Sequence, residues 1–139
     1  MSSNASVDAL RTHVSELLDR PECDAKEIQV QHLLISFNSA GIPGISRTQE
    51  EAEIFAGKLL EEIQGGAKFD PLVKQHTDDS HPGVYGMTTG KPAGGVYPRT
   101  GMVAAFGDIG WRLEVGEVGV AGFDPRTSPY GWHLIQRLK

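Results

Sequence analysis

The stretch EIQVQHLLIS (Glu27–Ser36) decides how the rest of the chain is read. It is rich in aliphatic and β-branched residues, and it partly alternates, with Ile28, Val30, His32 and Leu34 sharing one face. This pattern predicts a central strand that carries a histidine into an apolar layer. Upstream, Val7, Leu10, Val14, Leu17 and Leu18 fall at helical spacing over residues 6–19, and Pro21 then breaks the pattern. The first 26 residues therefore read as a helical extension on a hinge, and residues 27–139 as the main domain. The apolar stripe of that helix must pack on the following domain or on a partner chain.

Downstream of the strand, the loop FNSAGIPGISR leads to Thr48 and Glu51, whose spacing is that of a capping box. A helix is expected through Ala52, Phe55, Ala56, Leu59 and Ile63, stopped by Gly65 and Gly66. Asp70 and Pro71 supply an N-cap and a first-turn proline for a second helix through Leu72 and Val73. Residues 82–101 are so rich in Gly and Pro that they are expected to form a long shaped loop, of the kind that is functional or mobile. A third helix follows, with Met102, Ala105, Phe106 and Ile109 at i, i+3, i+4 and i+7. EVGVAGF reads as a Gly-loosened strand, DPRTSPYG as a turn and WHLIQRL as a closing strand. The fold class is α+β, a small, mostly antiparallel sheet wrapped by helices.

Composition narrows the function classes. With 139 residues, 39% hydrophobic and 22% charged, the chain is the size and polarity of one globular domain. Its net charge is −5, and residues 1–67 hold eleven acids against five bases, while residues 68–139 hold seven against eight. There is no basic, aromatic-laced footprint for nucleic acid and no Lys-rich amphipathic helix for a membrane surface, so neither partner is expected. With no apolar run of spanning length, no signal-peptide pattern at the N-terminus and a single cysteine, Cys23, a cytoplasmic location is expected.

The most donor-rich stretch is QHTDDSHPG (residues 75–83), in which His76 and His81 bracket Asp78 and Asp79. These residue types serve equally as metal ligands, as an acid/base pair or as the polar lip of a pocket. A metal site would draw on His76, Asp79 and His81, but this stretch does not visibly complete four-fold ligation, and no metal or other cofactor is expected.

Four blocks together carry a family resemblance. HLLI opening on a strand, RTQEEAEIFAGKLLEEIQGGAKFDPLVKQHTDDS, MVAAFGDIGWRLEVGEVG and the terminal YGWHLIQRL resemble, in order, the successive blocks of the parvulin peptidyl-prolyl cis/trans isomerases, from about Glu27 to Lys139. The resemblance implies a parvulin, FKBP-like, fold and an isomerase of Xaa-Pro bonds that assists folding. It places the paired histidines on His32 and His133, the Asp-or-Cys position on Asp79, and the proline pocket on Met102 and Phe106. The hydroxyl residue that supports the histidines falls on Ser128, with Tyr130 at a nearby rim position. Residues 82–101 are longer than the family norm, which leaves Tyr85, Met87, Val96 and Tyr97 as candidates for the third wall of the pocket, Tyr85 and Tyr97 foremost.

The chemistry suits these residue types. Rotation about an Xaa-Pro bond faces a barrier of roughly 18–20 kcal/mol because amide resonance is lost in the twisted state. The twisted amide has a smaller dipole, so an apolar cup favours it over the planar form. Asp79 either faces the partly negative amide oxygen or accepts a hydrogen bond from substrate backbone; the sequence leaves both open. His32 and His133 read as a buried hydrogen-bonded pair that fixes the cup floor.

Parvulins directed at phosphorylated Ser/Thr-Pro carry a basic cluster after the first strand. Here Ser36 stands where a lysine would help, and Arg47 is the only cation in that loop, so unphosphorylated substrates are expected. The expected partners are proline-containing peptides or unfolded protein clients. The rival reading is a catalytically weak chaperone or proline-peptide binding module. A monomer is expected, with a dimer through the N-terminal helix as the alternative.

Overall fold

The computed structural model describes residues 4–139. Its centre is a sheet of five strands: β1 (Glu27–Ile35), β2 (Val84–Thr88), β3 (Tyr97–Pro98), β4 (Val118–Ala121) and β5 (Trp132–Arg137), in the order β3-β2-β1-β5-β4. All pairings are antiparallel except β2 with β3. Strand β1 is the central strand that its composition predicts, and its pleat divides the core in two. Leu33 and Ile35, with Trp132 and Leu134 of β5, face one cluster, while Ile28 and Val30, with Ile135, face the other.

The first cluster is covered by helix α2 (Gln49–Gln64) and helix α3 (Phe69–His76), which bury Ala52, Ala56, Leu59, Leu60, Phe69 and Val73. The capping box forms as the sequence predicts: Glu51 N–H donates to Thr48 Oγ1 at 3.1 Å, and Thr48 N–H to Glu51 Oε1 at 2.8 Å. The start of α3 differs from expectation. Lys68 is its N-cap and provides no side-chain hydrogen bond. Asp70 lies inside the first turn, where its carboxylate accepts from Gln31 Nε2 and meets His81 Nε2. Tertiary partners from β1 and the following loop have taken the oxygen that a local cap would use.

Helix α1 (Ala5–Asp19) packs on its own domain. Leu10 is buried in the first cluster and Leu17 in the second, so the leading helix bridges both halves of the core. Asn4 caps it by accepting from Val7 N–H, and Arg20 ties its end to Glu117.

Residues 82–101 are not one long loop. They contain β2, β3 and a single 3-10 turn at Arg99–Gly101. Strand β2 survives its glycine because backbone pairing to β1, Gln29 opposite Gly86, needs no side chain, and Met87 is fully buried opposite Ile28. The Gly and Pro signals mark the real turn at residues 89–96. The third helix is also shorter than its periodicity suggests. Helix α4 is Ala104–Gly110, and Met102 precedes it in extended conformation.

Candidate active site: a histidine-floored cup

The site lies on the β1–β5 face that belongs to the second cluster. His32 projects from β1 and His133 from β5, whose register sets Leu34 opposite His133 and Ile135 opposite His32. Side chains two residues apart on a strand share a face, so the imidazoles converge, with Nδ1 to Nδ1 at 3.4 Å. Gly131 makes this register possible. Its φ is +136°, and a Cβ there would meet Ile35 O at 2.2 Å, so only glycine lets β5 enter beside β1.

Phe106 caps the pair from α4. Its ring centroid lies 4.8 Å from His32 and 5.0 Å from His133, both edge-on. Tyr85 of β2 closes another side, 5.5 Å from His32 and nearly parallel to Phe106 at 6.0 Å. Tyr97 packs behind Tyr85 at 6.0 Å and does not line the cup itself. The cup has a volume of about 370 Å³, and Leu34, Ile42, Met102, Val103 and Tyr130 complete its apolar wall.

The electrostatics follow from burial. His133 is 2% exposed, and burial together with the neighbouring His32 pushes its imidazole down to about 3. Burial lowers His32 as well, with Asp79 acting in the opposite direction. Both rings are neutral at pH 7, so one Nδ1 donates and the other accepts. Asp79 sits at the mouth, its side chain 44% exposed, with Oδ2 3.3 Å from His32 Nε2. Tyr85 is raised by burial and by the Asp79 charge.

The cup thus gathers His32, Asp79, His133, Met102, Phe106, Tyr85 and Tyr130. Ser128 is not among its lining residues. Its Oγ donates to Gly131 O at 2.8 Å, bracing the turn that feeds β5, and so it bears on His133 through the backbone. Met87 belongs to the core, and Val96 packs over Gly86. His76 stacks edge-on against Phe55, and His81 meets Asp70, so the two histidines of the donor-rich stretch point to different partners. No group of three His, Cys, Asp or Glu suited to a metal ion occurs among the described residues.

Asp78 and Ile42 are among the residues that escaped sequence reasoning. Asp78 Oδ2 accepts from Ser36 N–H at 2.8 Å and pairs with Arg47, which also donates to Ser36 O at 3.1 Å. Asp78 therefore ties the end of β1 to the start of α2 and fixes the adjoining Asp79. Ile42, from the loop between those elements, contributes to the wall. No local pattern singles out either residue, because their partners lie far away in sequence.

Residues 13–138 match the family model described as the PPIC-type PPIase domain. The chain belongs to the PPIC-type PPIase domain family. Within curated sequences it is 30% identical over 131 residues to the chaperone SurA of Thiobacillus denitrificans, covering 91% of this chain and 26% of that protein. Against the chaperone SurA of Pseudomonas fluorescens it is 30% identical over 112 residues, covering 81% and 23%. The chain thus spans about a quarter of the length of these relatives. Among solved structures, TbPIN1 superposes with a TM-score of 0.62 at 22% identity, covering 83% of this chain and 99% of that one. The peptidyl-prolyl isomerase ESS1 from Candida albicans also gives 0.62, at 24% identity, covering 95% and 74%. These likenesses show a parvulin-type α+β fold. The family match begins within α1, in keeping with that helix being packed into the core.

Proposed function

We propose that this domain catalyses cis/trans isomerisation of Xaa-Pro bonds in unphosphorylated peptides and unfolded protein segments. The observation that carries this reading is the cup itself, an apolar cavity of proline-accommodating size floored by two neutral imidazoles and edged by one carboxylate. Proline enters against Met102 and Phe106. The planar amide loses solvation there, and the twisted amide, with its smaller dipole, loses less. Asp79 at the mouth faces the amide oxygen and disfavours its partial negative charge in the planar form. No bond is made or broken, so no nucleophile is required. A tenfold acceleration needs only about 1.4 kcal/mol of differential binding.

The preference for unphosphorylated substrates is supported by the state of Arg47. Its guanidinium is engaged by Asp78 and Ser36 O and lies 5.3 Å over the Phe55 ring. Among the described residues, no Lys or Arg lines the cup. A dianionic phosphate at the mouth would meet the Asp79 carboxylate, with Arg47 already engaged. A cytoplasmic location remains part of this proposal, resting on the single cysteine, and cell fractionation checks it.

The test is exchange NMR on Xaa-Pro tetrapeptides with catalytic amounts of wild type and Asp79→Ala. Wild type is expected to speed interconversion and Asp79→Ala to lose most of that gain while still binding peptide. Phosphoserine-proline peptides should be no better than their unphosphorylated forms; a large advantage for them would overturn the specificity. A second reading, a proline-peptide binding module with weak turnover, is favoured by the similarity to chaperones. Binding with exchange at the uncatalysed rate would select it.

A further inference from the structure

Residues 20–26 are stitched to the elements that carry the outer wall of the cup. Arg99, in the 3-10 turn, donates Nη1 to Glu22 Oε1 at 2.8 Å and Nη2 to Glu22 Oε2 at 2.7 Å, a bidentate pair. The same guanidinium lies 4.6 Å over the Trp111 ring, and Arg112 Nη1 reaches Glu22 Oε2 at 3.2 Å. Backbone bonds reinforce the seam: Cys23 N–H donates to Trp111 O, and Trp111 Nε1–H to Ala25 O, each at 2.7 Å.

The path from this seam to the cup is short. Arg99 O accepts from Met102 N–H at 3.3 Å, and Gly101 and Met102 line the cavity. The Arg99 side chain crosses α4 at Gly107, next to Phe106. A Cβ on Gly107 would meet Arg99 Nε at 2.3 Å, so the glycine is what lets the guanidinium lie there. The bond to Arg99 holds the Glu22 carboxyl below its usual range, so it stays ionised at neutral pH.

We propose that Glu22 is a positioning residue for the proline pocket: by clamping Arg99 across Gly107 and Trp111, it fixes Met102 and Phe106 in the geometry that receives the substrate. This rests on the isomerase reading of the cup. It also makes residues 20–26 part of the functional unit. A misplacement of about 1 Å at a substrate-contacting group can cost roughly a hundredfold, so a fraction of that shift is enough for a measurable loss.

The experiment uses the full chain with an Ala-Leu-Pro-Phe peptide, at a temperature well below the thermal midpoint of every variant. Glu22→Gln removes the charge, Gly107→Ala displaces Arg99 from the other side, and Glu22→Asp keeps the charge beside Arg99 and Arg112. Glu22→Gln and Gly107→Ala are each expected to raise the peptide Kd about three- to tenfold, with a smaller change in the rate at saturation. Both should shift the Met102 methyl and Phe106 ring resonances while leaving those of Leu59 and Trp132, in the first core cluster, in place, and Glu22→Asp should keep more of the affinity than Glu22→Gln. Wild-type affinity with unmoved Met102 and Phe106 resonances in Glu22→Gln overturns the proposal, as does an equal disturbance of Leu59 and Trp132, which marks general loosening. If wild type binds the peptide without speeding exchange, the isomerase reading fails, and the Kd and the Met102 position still decide the clamp. If wild type does not bind, the Met102 position in the free variants decides it.

Discussion

His133 illustrates how one buried side chain links packing to pH. Its imidazole titrates near 3 in the folded chain and near 6.5 when unfolded, and His32 is lowered in the same direction. Because the unfolded state binds these protons first, their contribution is fully present above about pH 6.5 and is lost as pH falls toward the folded value. Stability should decline from about pH 6.5 downward, already in the range above 5 where most carboxylates remain ionised, by up to about 1.4 kcal/mol per pH unit for each such histidine. Urea midpoints measured across this range check it, and His133→Leu should flatten the slope. At the same scale, Asp78→Ala leaves Ser36 N–H and Arg47 without their partner. A loss of about 1–3 kcal/mol is expected, with faster hydrogen exchange at the Ser36 amide. The role of Asp79 could be read from family resemblance, but that of Asp78 could not, because its partners lie 31 and 42 positions away.

At the scale of elements, local signals worked where the hydrogen bonds they predict are local. The Thr48–Glu51 box and the stop at Gly65 depend on neighbours within four residues, and both formed. Asp70 and residues 82–101 were read less well because the deciding partners are distant. Gln31 and His81 claim Asp70, and β1 turns a Gly-containing stretch into a paired strand. The same distinction sorts the glycines. Gly131→Ala puts a Cβ 2.2 Å from Ile35 O at a φ of +136°, so β5 must shift and His133 with it. It is expected to cost more than about 3 kcal/mol and to abolish peptide binding. Gly94→Ala, at a φ of +60° with nothing within 4 Å, should cost only about 1–2 kcal/mol and leave binding intact. Thermal melts and peptide titrations of the two variants check the contrast.

At the scale of the whole molecule, α1 belongs to the core, and the largely exposed segment after it is tied to the domain by polar contacts. Leu10 and Leu17 are 1% and 2% exposed, in different clusters, and the seam at Glu22 joins the following segment to the 3-10 turn and to the residues just past α4. Removing residues 1–26 should therefore lower the thermal midpoint sharply and expose apolar surface. Light scattering and dye binding on the shortened chain check this; a monomeric domain with an unchanged midpoint would refute it. The sequence read this helix correctly as amphipathic but left its partner open, since a stripe says that something covers it and not what does.

By itself the sequence determined the central strand, the capped second helix, the α+β class and the presence of His32, Asp79, Met102, Phe106 and His133. Those features depend on periodicity, on hydrogen bonds between near neighbours, or on motifs with fixed order. Only the tertiary structure decided that β2 forms, that Ser128 acts on the turn and not in the cup, that Arg47 is engaged by Asp78, and that Glu22 reaches Arg99. Each of these is a contact between residues far apart in the chain, chosen by which polar groups are left to satisfy one another once the apolar faces have closed.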